Sequence, residues 1–188
     1  MPRSRQSQTK ATQSHPHSPR VAGPAALGWP PSPQKLTELD ESMMRRALAL
    51  AKKGEGRVEP NPMVGCVIVR DGRIIGEGYH RRFGGPHAEV EALESCTRNP
   101  HGATAYVSLE PCCHHGKTPP CTDALIQAGV ARVVTPLRDP NPVVSGKGLR
   151  RLRAAGIAVT TGVLVHEAAE VLAPFLTLVR LGRPYVIA

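Results

Sequence analysis

Two short motifs carry the metal-ligating and proton-moving side chains of this chain. The first is Pro86-His87-Ala88-Glu89. The second follows a hydrophobic run, Ala103 to Leu109, and reads Pro111-Cys112-Cys113-His114-His115-Gly116-Lys117-Thr118-Pro119-Pro120-Cys121. One histidine and two cysteines can hold Zn²⁺ and leave its fourth position open to water, whose pKa the ion brings toward about 7. A glutamate beside that position need not be a ligand, so Glu89 is free to move protons. The chemistry this suits is hydrolysis at an sp² carbon that carries an exocyclic amine, with ammonia leaving. Zinc sites of that kind usually place two residues between their cysteines, whereas eight separate Cys112 from Cys121. Spacing alone leaves Cys113, His114 and His115 open as ligands. A closed, structural zinc site would need a fourth protein ligand, and the neighbouring Glu89 favours the catalytic alternative.

The elements that must position these residues can be read from turns and periodicity. Thr37 caps a first helix with Asp40 in a box-like role, and Met43, Met44, Ala47, Leu48 and Ala51 form its apolar stripe. Val64 to Val69 and Arg73 to Tyr79 are strands of a hairpin turned at Asp71-Gly72. Gly84-Gly85-Pro86 delivers His87 to a helix ending at Cys96, with Val90, Leu93 and Ala92 facing inward. Ala103 to Leu109 is a central strand running toward Cys112. Cys121 opens a short helix, where a thiolate is favoured. A strand at Ala131 to Thr135, a helix at Leu149 to Ala155, a strand at Ile157 to Thr161 and a helix at Val165 to Val179 follow, the last bent or divided at Pro174. Alternating helices and strands after a hairpin predict an α/β fold, a three-layer α/β/α sandwich around a mixed five-stranded sheet.

Composition bounds the partners. With 188 residues and 40% hydrophobic content, one main domain is expected. Residues 1–36 are rich in Ser, Pro, Gln and His and predict a disordered basic tail. That tail holds Arg3, Arg5, Lys10, Arg20 and Lys35 and no acid, so it supplies +5 of the net +9. The rest, at +4, makes a weak case for nucleic acid, and aromatics for base stacking are scarce at 3%. Small anionic substrates would be drawn equally well. No run approaches the roughly 20 apolar residues that span a membrane. Five cysteines with an adjacent pair do not form a disulfide framework, and a thiolate metal site belongs in a reducing compartment. A soluble, cytoplasmic protein is expected.

The chain resembles the deaminase domain of the bacterial riboflavin-biosynthesis deaminase/reductase family, which has the cytidine-deaminase-like fold. The resemblance rests on Pro60-Asn61-Pro62-Met63-Val64-Gly65, Gly78-Tyr79-His80, Gly85 to Val90, the whole loop from Glu110 to Cys121, Asp139-Pro140-Asn141-Pro142 and Gly146-Lys147-Gly148, in family order over residues 38–180. It implies one Zn²⁺ per chain on His87, Cys112 and Cys121, with Glu89 as proton shuttle. It implies substrate contacts at Asn61, His80, His114, Lys117, Asp139 and Asn141. The implied substrate is 2,5-diamino-6-ribosylamino-4(3H)-pyrimidinone 5′-phosphate, converted to 5-amino-6-(5-phosphoribosylamino)uracil and ammonia. The residue chemistry agrees: Asn61 can pair with a ring amide edge, Lys117 can meet a phosphate, and N–H groups at Gly146 to Gly148 could do the same before a helix. Two features depart from the family: Cys113 stands where serine is usual, and the basic tail is extra. Residues 37–165 make the deaminase domain, and 166–188 a C-terminal helix leading into the cut-short start of a reductase domain. No NADPH is therefore expected on this chain, and a separate reductase is an expected partner beside a homo-oligomer. Two other readings compete: a deaminase of another nucleoside, nucleotide or RNA base, and an inactive zinc-bearing remnant of the bifunctional enzyme. Against the remnant, Glu89 and all three ligand types are intact.

Overall fold

Thr37 begins the first helix, α1 (Glu38–Ala51), in the computed structural model, which describes residues 36–116 and 119–186. Of the tail expected over residues 1–36, all but Leu36 lies outside the described residues, as do Lys117, Thr118 and the final two residues; Leu36 packs against the core. The capping box is formed as the sequence predicts: Thr37 Oγ1 accepts the Asp40 N–H, and Asp40 Oδ2 accepts the Thr37 N–H, each at 3.1 Å. Asp40 also reaches into the sheet. Its Oδ1 accepts from Tyr106 Oη at 2.9 Å and from Arg132 Nη1 at 2.8 Å, and its Oδ2 accepts from Arg132 Nη2 at 3.1 Å. One carboxylate thus caps a helix and fastens it to two strands.

The sheet is mixed, with order β2-β1-β3-β4-β5. β1 (Gly65–Arg70) and β2 (Arg73–Tyr79) form the hairpin, and Asp71 and Gly72 adopt φ of 52° and 69°, as a two-residue turn of this hand requires. β1 also pairs antiparallel with β3 (Thr104–Val107), and β3, β4 (Arg132–Thr135) and β5 (Ala158–Thr161) run parallel. β3 is shorter than the apolar run suggests. Beyond Val107 the chain turns sideways: Ser108 exchanges hydrogen bonds with the Gly65 backbone, and the Glu110 N–H donates to the Leu137 carbonyl.

Alternation along the strands makes the two cores. Cys66, Ile68, Ala105, Val107, Val133 and Val159 pack beneath α2 (Ala88–Glu94), α3 (Cys121–Gln127) and α4 (Lys147–Ala154). Val67, Val69, Tyr106 and Val134 pack beneath α1, α5 (Val165–Val171) and α6 (Ala173–Leu181). The last helix is divided as expected, at Leu172, with Pro174 in the first turn of α6 where its missing N–H costs nothing. Among the described residues, no helix is long and apolar enough to cross a membrane.

Two expectations need correction. α4 starts at Lys147, not at Leu149. On α2, Ala88 and Ala92 face the sheet, while Val90 and Leu93 are only half-buried. The reason lies on β2: a Cβ at Gly78 would come within 2.4 Å of Ala92 N and 2.6 Å of the Ala88 carbonyl, and one at Gly76 within 2.3 Å of the Ala92 carbonyl. The helix lies on the strand backbone to backbone, and only alanines fit between.

Two predictions follow from this packing. Burial opposes the charge on Asp40, but the hydrogen bonds from Arg132, the Thr37 N–H and Tyr106 outweigh it and hold its pKa below the usual value. Asp40→Asn should cost about 3 kcal/mol at neutral pH, read from urea unfolding. A group with a depressed folded pKa stabilises above its unfolded pKa, here about 3.9. The gap between wild type and variant should therefore close as pH falls below that value through the folded pKa. Equal unfolding midpoints at pH 7 would contradict this account. Gly78→Val should push α2 off β2 and lower the melting temperature by about 5 °C or more in a thermal scan, since overpacking costs about 1–3 kcal/mol.

Candidate active site

Each ligand-type side chain is placed by the end of a strand or the start of a helix. His87 occupies the cap position of α2 with extended backbone, and Glu89 lies in the first turn behind it. Cys112 follows the exit of β3, and Cys121 is the first residue of α3. His87 Nδ1 lies 3.1 Å from Cys121 Sγ and 3.6 Å from Cys112 Sγ. The three ligand atoms are all within 4.8 Å of one another. The Cys121 N–H donates to Cys112 Sγ at 3.3 Å, and the Thr122 N–H to the Cys112 carbonyl at 3.1 Å. Strand end and helix start are thus joined independently of any ion. Donation from the Cys121 thiol, then from His87 and the Cys121 N–H, outweighs burial and lowers the Cys112 pKa, while Cys121 is pushed up by the same contact and by burial. One imidazole nitrogen and two sulfurs, one already favoured as thiolate, fit the N/S preference of Zn²⁺ and leave a fourth position. Cys113, His114 and His115 stand outside this cluster.

Glu89 is 3% exposed, and burial, followed by the neighbouring Cys112, pushes its pKa up to about 7. Such a carboxyl can both hold and release a proton at neutral pH. His80 is also buried; its Nδ1–H donates to the Pro86 carbonyl at 2.9 Å, and its Nε2 faces Asn61 Nδ2 at 3.4 Å. Burial, helped by the nearby His87, lowers the His80 pKa and outweighs the Pro86 hydrogen bond, which raises it; the net effect favours a neutral ring.

A cavity of about 310 Å³ gathers most of the residues singled out from sequence. Asn61, His80, His87, Glu89, Cys112, His114, Asp139 and Asn141 all line it. Cys121 sits buried beside His87 and Cys112, and Lys117 lies outside the described residues. Asp139 and Asn141 also shape their own loop: Asp139 Oδ1 accepts the Asn141 N–H at 2.8 Å, and Asn141 Oδ1 accepts the Val143 N–H at 3.0 Å. Burial first, then Glu110 and Cys112, raise the Asp139 pKa to about 6, against the Asn141 hydrogen bond.

One expectation fails here. The N–H groups at Gly146 to Gly148 do not face a phosphate position. Gly146 and Gly148, with Leu149, donate to the carboxylate of Glu110, which sits at the N-terminus of α4 as an internal anion. Glu110, Phe83 and Phe175 line the cavity as well and were not singled out as site residues from the sequence. Glu110 had a usable signal. An acid straight after an apolar strand must be buried, a buried acid needs donors, and a glycine-flanked helix start supplies them.

The comparisons with known proteins agree with this geometry. Residues 37–137 match the family model of the cytidine and deoxycytidylate deaminase zinc-binding region. The riboflavin biosynthesis protein RibD of Escherichia coli is 58% identical over 147 residues, which are 78% of this chain and 40% of that protein. The chloroplastic riboflavin biosynthesis protein PYRD of Zea mays is 54% identical over 146 residues, 77% of this chain and 37% of that one. The crystal structure of a diaminohydroxyphosphoribosylaminopyrimidine deaminase/5-amino-6-(5-phosphoribosylamino)uracil reductase from Thermotoga maritima is 54% identical, with a TM-score of 0.76 over 78% of this chain and 43% of that chain. The chain spans about two fifths of the length of these relatives. With the fold, the ligand cluster and the family match in agreement, the chain belongs to the cytidine and deoxycytidylate deaminase family, alongside the deaminase part of these riboflavin biosynthesis proteins.

Proposed function

We propose that this chain hydrolyses 2,5-diamino-6-ribosylamino-4(3H)-pyrimidinone 5′-phosphate to 5-amino-6-(5-phosphoribosylamino)uracil and ammonia. The observation that carries the reading is a buried Glu89 in the same cavity as a His87, Cys112 and Cys121 cluster, with Asn61 and His80 on its wall. The names of the relatives at 54–58% identity support the substrate class. A cavity of about 310 Å³ has the size of a site for a single-ring nucleotide, at the small end of ligand pockets.

His87, Cys112 and Cys121 would hold Zn²⁺, which when bound lowers the pKa of water and makes hydroxide available at neutral pH. Glu89 takes the proton of the attacking water on its carboxylate and passes it to the ring nitrogen. The carboxylate of Glu89, free again, then takes the proton of the added hydroxyl and delivers it to the amine; the C–N bond breaks, ammonia leaves and a carbonyl oxygen replaces the amino group. Asn61 offers an amide to the ring edge. With the start of α4 taken by Glu110, the phosphate falls to the loop bearing His114 and Lys117. A thiolate site calls for a reducing compartment, so the proposal places the chain in the cytoplasm, self-associated, with a reductase as the partner that consumes its product.

Ammonia release from this substrate by zinc-loaded protein is the direct check, and a folded, zinc-bearing protein that turns over none of it would overturn the substrate assignment. Glu89→Ala should keep its zinc and lose about 10²- to 10⁴-fold in kcat. Undiminished turnover in that variant would remove Glu89 from its role. Cys113→Ser should bind zinc as wild type does in a metal titration, whereas Cys121→Ser should not; the opposite pattern would reassign the third ligand.

A further inference from the structure

We propose that Glu110 is a positioning residue that sets the substrate-facing loop at Asp139 and Asn141 against the half of the site bearing Cys112. This rests on the deaminase reading above. Glu110 is 4% exposed and lies two residues before Cys112. Its Oε2 accepts the N–H of Asp139 at 3.1 Å and of Gly146 at 2.8 Å, and its Oε1 accepts those of Gly148 at 3.0 Å and Leu149 at 3.3 Å. Its own N–H donates to the Leu137 carbonyl at 3.1 Å. Backbone and side chain of one residue therefore tie the exit of β3 to the exit of β4 and to the start of α4. The tie is tight, because a Cβ on Gly148 would come within 2.1 Å of the Pro111 carbonyl oxygen. Each carboxylate oxygen takes two amide donors, so glutamine cannot replace it: its NH₂ would face two N–H groups. A cap alone would need only the α4 amides. The bond to Asp139 N joins the cap to the wall of the cavity.

The test uses the zinc-loaded full chain with Glu110→Gln and Glu110→Ala. Both should keep zinc. In Glu110→Gln, KM should rise about tenfold with kcat changed less than about threefold, as expected for losing charge-assisted hydrogen bonds that place a binding loop. Acetate should restore part of kcat/KM in Glu110→Ala, saturably, by refilling the four-amide socket. Hydrogen exchange at Gly146, Gly148 and Leu149 should quicken in both. If Glu110→Ala does not fold, the Gln variant decides alone. An unchanged KM in folded Glu110→Gln, or loss of zinc and kcat at constant KM, overturns the proposal. If wild type itself shows no turnover, the deaminase reading fails. Amide exchange then decides the anchor separately, and unchanged exchange refutes it.

Discussion

Taking a carboxylate out of water is costly unless donors replace the water, and Asp40, Glu110 and Glu89, three of the buried acids among the described residues, meet that constraint differently. Asp40 is surrounded by Arg132, Tyr106 and the Thr37 N–H, and its pKa falls. Glu110 is held by four backbone amides. Glu89 is stabilised far less: its own amide, the Cys121 thiol and His87 do not offset burial and the nearby Cys112, and its pKa climbs to about 7. The first acid joins a helix to the sheet, the second joins loops, and the third lines the cavity beside the His87, Cys112 and Cys121 cluster. The scaffold and the chemistry follow from how many donors each acid receives.

The sheet order turns that distribution into a site. β3 and β4 are parallel neighbours, so their carboxyl ends emerge side by side, where ligand sites of α/β sheets form. Cys112 and Asp139 lie just past those ends, and α2 and α3 bring His87 and Cys121 in by their first residues. Short elements suffice because the reactive groups sit at their ends.

Much of this is legible in the sequence because it is local. The Asp71-Gly72 turn, the Thr37 box and the Pro174 break are set by neighbouring residues, and the structure has each of them. Alternating helices and strands give the mixed sheet. What escapes is set by distant contacts. Val90 and Leu93 look like the inward face of α2 until Gly76 and Gly78 bring the β2 backbone so close that only Ala88 and Ala92 fit. Gly146 to Gly148 look like a phosphate cradle until Glu110, 36 residues before Gly146, fills it. The ligand spacing leaves Cys113, His114 and His115 open, and only the three-dimensional cluster sorts them.

The contact of α2 with β2 works as a fixed gauge. A Cβ on Gly76 or Gly78 would collide with the α2 backbone at Ala88 and Ala92, both fully buried, so the two elements stand at the distance their backbones allow. The hairpin therefore sets the distance at which the His87–Glu89 turn stands from the sheet, with no side chain between them to act as a spacer.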